Sequence, residues 1–220
     1  MATVLPIPQT LTPEILDVVS QCILQDGVLA VTTESSYALA AGLHQPRAIE
    51  RIAQMKGDRQ TKPILLLVSS KAQAFQVVSA LSSTAKFLMD RFWPGPLTLI
   101  LPAASNLPIS LTAGSGTIGV RQPQQHQLLQ LLASTGPLTG TSANRSGLPP
   151  ATTAEEIVRE FAEEVDMILD SGPSPGGSPS TLLDVTDGIR VLRHGPITVE
   201  RLNDALTSCG QRCQDEPLRS

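Results

Sequence analysis

Apolar positions recur at helical spacing near the start of the chain, where Ile15, Leu16, Val19, Cys22 and Ile23 form one stripe. Thr12-Pro13-Glu14 precedes it with a capping hydroxyl, a first-turn proline and an acid, and the pattern stops near Gly27. The run 28–31 is short, apolar and β-branched, so it predicts a buried strand that delivers Thr32-Thr33-Glu34-Ser35-Ser36-Tyr37 to its C-terminal end. Pro46 opens a second helix through Ile49, Ile52 and Met55 that ends at Lys56. Residues 64–68 read as a fully apolar strand, followed by helices at 71–80 and 83–92. Trp93-Pro94-Gly95-Pro96 breaks the chain rigidly before a strand at 97–101. Further strands are expected at 117–121, 137–141, 166–170, 181–185 and 189–193, with helices at 124–134, 153–163 and 198–207. Thr153 with Glu156 forms a capping box for the helix at 153–163, and the polar tail after Gly210 is expected to fray.

Strands and helices mix without strict alternation, which favours an α/β (α+β) fold with a twisted, open, mixed sheet flanked by helices. Residues 10–207 are expected to form a single domain and 208–220 a polar C-terminal tail. All ten positions of 171–180 are Ser, Gly or Pro, a composition that suits a loop edging a site better than a domain linker.

With 220 residues and 41% hydrophobic content the chain can build a substantial core. Aromatic content is only 3% and the formal charge is −4, so base stacking and broad binding to a nucleic-acid backbone are disfavoured. The N-terminus lacks the cationic and apolar regions of a signal peptide and no apolar run reaches transmembrane length, so the expectation is a cytoplasmic protein with no membrane partner. Cys22, Cys209 and Cys213 do not have the spacing of a zinc site, and His44, His126 and His194 are scattered. Gly114-Ser115-Gly116-Thr117-Ile118-Gly119 matches a dinucleotide fingerprint by letters alone, because Val120-Arg121 continue a strand where a helix should open. No segment forms a Walker loop, and Ser142 is not in a nucleophile elbow.

The residues that remain suit anion binding without a covalent nucleophile. Lys56, Arg59 and Lys62 fall within seven positions. They are either a solvated helix end complementing its dipole or a cationic cluster facing one cleft. Arg121 ends an apolar strand, so it is either paired internally, with Glu34 as a candidate, or reserved for a ligand. Ser180-Thr181 and Arg193 bracket another strand pair. Thr33, Glu34 and Tyr37 stand at a strand end, where open α/β sheets place their ligands. Thr141-Ser142-Ala143-Asn144-Arg145-Ser146-Gly147 reads as an ordinary polar turn or as one whose side chains and amides converge on a polar group.

Seven segments together resemble the YrdC-type threonylcarbamoyl-AMP synthase family. They are 32–39 (TTESSYAL), 56–63 (KGDRQTKP), 93–98 (WPGPLT), 117–121 (TIGVR), 141–147 (TSANRSG), 179–184 (PSTLLD) and 192–195 (LRHG), in the family's order. The resemblance implies a large electropositive cleft and synthesis of L-threonylcarbamoyladenylate from L-threonine, bicarbonate and ATP, with pyrophosphate released. That product serves threonylcarbamoyladenosine modification of tRNA through a downstream tRNA threonylcarbamoyl transferase. It implies Mg2+ accompanying ATP, no catalytic nucleophile and no protein-bound metal. Thr33, Tyr37, Arg121, Ser142 and Ser180 would contact threonine, with Arg121 taking its carboxylate. Lys56, Arg59, Thr117, Asn144, Thr152 and Arg193 would hold ATP. Asp58 stands where the family carries arginine, and Arg59 is expected to compensate. The alternative is a divergent paralogue that binds double-stranded RNA or tRNA, or handles an adenylate weakly.

Overall fold

A computed structural model describes residues 1–57 and 64–216. The elements follow the predicted order closely. Helices α1 (Pro13–Leu24), α2 (Pro46–Met55), α3 (Lys71–Val77), α4 (Ser83–Phe92), α6 (His126–Thr135), α7 (Ala154–Phe161) and α8 (Val199–Thr207) all stand where apolar spacing placed them. Side chains of Thr12, Ser70, Ser82, Gln125, Thr153 and Thr198 cap six of these by accepting a first-turn amide. Helix α3 ends earlier than the predicted residue 80 because Val78 turns extended and bridges Ala103. A short helix, α5 (Ile109–Thr112), arises where no helix was expected.

Two mixed sheets form where the pattern predicted one. The first contains β1 (Thr3–Pro6), β9 (Met167–Asp170), β2 (Leu29–Thr32), β3 (Tyr37–Ala40) and β8 (Thr141–Ser142), in that order. The second runs β12 (Gln214–Asp215), β11 (Arg190–Arg193), β10 (Thr181–Asp184), β5 (Leu97–Pro102), β6 (Thr117–Arg121), β4 (Leu66–Leu67) and β7 (Leu138–Thr139). Segments outside the expected 10–207 span also pair: Thr3–Pro6 lies parallel to β9, and Gln214–Asp215 adds a short edge to β11 where fraying was expected.

The single strand expected at 137–141 divides at Gly140. Its first half belongs to the second sheet and its second half to the first, so this segment joins them. The amide of Gly140 donates to the Leu65 carbonyl, and that of Thr139 to the Ala41 carbonyl, each at 2.9 Å. Strand β2 is buried throughout because both its faces are covered. Leu29 and Val31 pack with Val19 and Ile23 of α1 and with Leu128, Leu131 and Leu132 of α6. Ala30, with Tyr37 and Leu39 of β3, faces the larger core shared with Leu97, Leu99, Ile118 and Val120 of the second sheet. Among the described residues no helix is long and apolar enough to cross a membrane.

A methyl group at Gly140 would come within 2.6 Å of the Leu67 side chain, including its branch carbon. Gly140→Ala should therefore lower unfolding free energy in urea by about 1–3 kcal/mol through overpacking at the junction. An unchanged denaturation midpoint would show that the crossing has room to spare.

Candidate functional site

The loop between β2 and β3 is organised by Thr33, which is buried. Its hydroxyl donates to the Ser36 carbonyl at 2.8 Å and accepts the amides of Ser35 and Ser36 at 3.2 and 3.3 Å. This local bonding closes the turn and aims Glu34 towards the second sheet. Tyr37 follows with no exposed surface, and its hydroxyl donates to Asp170 Oδ1 at 3.2 Å, with the Gly172 carbonyl at 3.3 Å. The Ser/Gly/Pro loop is anchored on the same edge: Ser171 Oγ donates to Thr32 Oγ1 at 2.7 Å, and the Ser174 amide to the Thr152 carbonyl at 2.8 Å.

Lys56 caps the C-terminal end of α2 and is only 1% exposed. A buried ammonium requires acceptors, and the turn after β8 supplies them. Lys56 Nζ donates to the carbonyls of Ser142 and Asn144 at 2.7 and 2.6 Å, and also to Asn144 Oδ1. Ser142 Oγ donates to that same Oδ1 at 2.7 Å. The next residue, Arg145, has partners of its own and also reaches the Met55 carbonyl at 3.4 Å. Arg145 makes a bidentate pair with Glu164, donates to the Glu160 carbonyl at 3.0 Å and lies 4.5 Å from the centre of the Phe161 ring. Hydrogen bonding to Glu164 raises the arginine's pKa further. Arg145 thus fastens the turn to α7, while Ser142 and Asn144 remain on the Lys56 side.

On the second sheet, Arg121 is 6% exposed at the C-terminal end of β6. Its Nε donates to the Gly95 carbonyl at 3.1 Å, and Nη2 is ion-paired with Glu34 Oε1. The internal partner named from sequence is therefore present, and it ties the two sheets together. Beyond Gly95, Ser180 Oγ and Thr98 Oγ1 are 2.7 Å apart. Arg193 Nε and Nη2 donate to the Ser180 carbonyl at 3.1 and 3.0 Å.

Thr33, Tyr37 and Ser142 thus share one end of the first sheet, and Arg121, Ser180 and Arg193 share one end of the second. The Glu34–Arg121 pair joins these two ends. Thr117 stands apart, at the opposite end of β6 from Arg121, about 13 Å away by strand rise. Thr152 gives its amide and hydroxyl to Glu156 Oε2 at 2.6 and 3.2 Å, so Glu156 reaches back one residue beyond the expected cap. Asp58, Arg59 and Lys62 lie outside the described residues. Sequence reasoning missed Thr98 and Asp170 as site neighbours. Thr98 lies within the Trp93-Pro94-Gly95-Pro96 segment's continuation, a visible signal, whereas Asp170 meets Tyr37 only through the pairing of β9 with β2.

Burial, together with the nearby Asp170 carboxylate, pushes the Tyr37 phenol up to about 12. Tyr37 is the chain's single tyrosine, so tyrosinate absorbance reports this group alone. A phenol whose native pKa is raised contributes stability below the unfolded value near 10, and that contribution is lost as pH rises towards the native value. Spectrophotometric titration of the folded chain should therefore show ionisation well above pH 10, with unfolding promoted in the same window. A reversible midpoint near 10 in the folded state would contradict the burial of this hydroxyl.

Residues 21–195 match the Sua5, YciO and YrdC family, whose description reads "Telomere recombination". The Thiobacillus denitrificans threonylcarbamoyl-AMP synthase is 37% identical over 168 residues, covering 76% of this chain and 88% of that protein. The Bacillus subtilis threonylcarbamoyl-AMP synthase is 36% identical over 181 residues, 81% of this chain. That match spans only 52% of the Bacillus protein, so this chain corresponds to about half of some relatives. The crystal structure of P. abyssi Sua5 complexed with L-threonine superposes with a TM-score of 0.88 at 27% identity, covering 97% of this chain and 63% of that one. This chain belongs to the Sua5/YciO/YrdC family.

Proposed function

We propose that this chain synthesises L-threonylcarbamoyladenylate from L-threonine, bicarbonate and ATP, releasing pyrophosphate, and so supplies the threonylcarbamoyladenosine modification of tRNA. The observation that carries the reading is the Arg121–Glu34 pair, which joins the strand ends of the second sheet, where Ser180 lies, to those of the first, where Thr33 and Ser142 lie. Relatives named threonylcarbamoyl-AMP synthase, one of them matched over most of its length, support it.

In this reading Arg121 receives the threonine carboxylate, and Thr33, Tyr37, Ser142 and Ser180 shape the rest of the threonine pocket. Lys56 fixes the turn whose Asn144 meets ATP, while Arg193, Thr117, Thr152 and Arg59 hold the nucleotide. Threonine's amine and bicarbonate form a carbamate, and a carbamate oxygen attacks the α-phosphate as pyrophosphate leaves. Both reactants are anionic, so the protein's work is alignment, charge neutralisation and shielding a labile carbamate from water. An electropositive cleft around these cations would serve that end. Among the described residues no three His, Cys, Asp or Glu side chains cluster as metal ligands. Mg2+ would accompany ATP as the counter-ion of its phosphates, where it would neutralise the leaving pyrophosphate. Three free cysteines suit a reducing cytoplasm.

Purified chain with ATP and magnesium should release pyrophosphate only when L-threonine and bicarbonate are both present. Arg121→Ala should lower that rate by at least about a hundredfold at limiting threonine, because a charge-assisted contact to the carboxylate is lost. Release that ignores threonine would refute the reading. Salt-sensitive binding to structured RNA without any pyrophosphate release would favour a non-catalytic RNA-binding role.

A further inference from the structure

Glu34 sits at the centre of the candidate site, yet only half of its carboxylate is used. Oε1 pairs with Arg121, and the Gln124 amide approaches the same oxygen at 3.4 Å. Oε2 is shielded from water and accepts no hydrogen bond among the described residues. A buried carboxylate oxygen without a donor is costly, and the cost is removed by any donor that reaches it. The Glu34 side chain as a whole is 23% exposed and lies on a four-residue loop, and its terminal torsion is a soft one. A small turn of the carboxylate brings the idle oxygen to a ligand.

The adjacent charges define what that ligand is. Arg121 with Glu34 makes a neutral, oriented pair of plus and minus charges within one contact distance. A simple carboxylate would complement only the arginine and would meet repulsion from Glu34. An α-amino acid in its zwitterionic form complements both, with its carboxylate on the guanidinium and its ammonium on the free carboxylate oxygen. We propose that Glu34 is a specificity-determining residue of this site, its Oε2 receiving the α-ammonium of the amino-acid substrate while Arg121 receives the carboxylate. This rests on the reading of Arg121 as the threonine carboxylate site. It gives Glu34 a task that internal neutralisation of Arg121 does not, since one oxygen would suffice for that.

The test compares L-threonine with 3-hydroxybutanoate, which is threonine without its amine, by calorimetric titration of the wild-type chain and of Glu34→Gln. Wild type should prefer threonine by about tenfold or more, the worth of one charged hydrogen bond. Glu34→Gln keeps the shape but loses the charge. It should weaken threonine by about that factor while leaving 3-hydroxybutanoate unchanged or improved, so that the preference collapses. Equal weakening of both ligands would show that Glu34 merely positions Arg121, and a retained preference would place the ammonium elsewhere. Either result overturns the proposal while the threonine reading stands. A wild-type chain that binds neither ligand would remove that reading and this clamp together. A thermal unfolding midpoint for Glu34→Gln close to wild type confirms that binding was compared between folded proteins.

Discussion

The buried ammonium of Lys56 is the constraint around which the first half of the site is arranged. A lysine cannot leave water unless oxygens replace its hydration, and here one turn provides three of them, two main-chain and one side-chain. Collecting those oxygens dictates the path of residues 142–144. It also directs the Ser142 hydroxyl onto the Asn144 side chain. Main-chain bonds from Ala143 to Tyr37 and from Ala151 to Ala143 then pass the same constraint into β3 and the approach to α7. Arg145 ties the same turn to Glu164 and to the Glu160 carbonyl. Adjacent residues of the turn are therefore fixed by two cations with different sets of partners.

The second half of the site depends on a different charge. Arg121 emerges from an apolar strand and is stabilised by a main-chain carbonyl of the Trp93–Pro96 break and by Glu34 from the opposite sheet. That ion pair bridges the two sheets, and the chain itself passes directly from one to the other where Gly140 lets β7 hand over to β8. Strand ends from both sheets consequently open onto one region, with hydroxyls of Thr98 and Ser180 and the guanidinium of Arg193 continuing the polar edge. The proposed joining of two anions needs such a polar edge more than it needs a reactive side chain.

Much of this was readable from sequence because the helices carry strong local signals. Thr12 and Thr153, read from sequence as caps, do cap their helices, and Ser70, Ser82 and Thr198 do the same for theirs. Glu34 was already visible as a partner for Arg121, since a charge closing an apolar strand demands one. The division of the sheet was not readable. Strands of two residues, such as Leu138–Thr139 and Thr141–Ser142, have no periodicity to detect, and the glycine between them looks like any turn glycine. Strands β1 and β12 are mostly exposed edges, so burial leaves little alternation in them. Arg145 looked like a member of the ligand-binding turn because it lies between Asn144 and Gly147. Its true partners, Glu160 at the end of α7 and Glu164 just after it, are distant in sequence, and local sequence does not record that packing. Tyr37 with Asp170 is a similar long-range contact.

Lys56 is the organiser of the 142–148 turn, and amide hydrogen exchange of Lys56→Met measures this directly. The methionine has similar length but removes the ammonium that three oxygens accept from, and leaves the Asn144 carbonyl without the donor that Lys56 supplies. The amides of Ala143, Asn144, Leu148 and Ala151, which are bonded in this turn, should exchange at least about tenfold faster than in wild type, while those of β5 and β6 keep their protection. Unchanged protection at all four amides, in a variant confirmed to be folded, would show that the turn holds its shape without the lysine and would contradict the account.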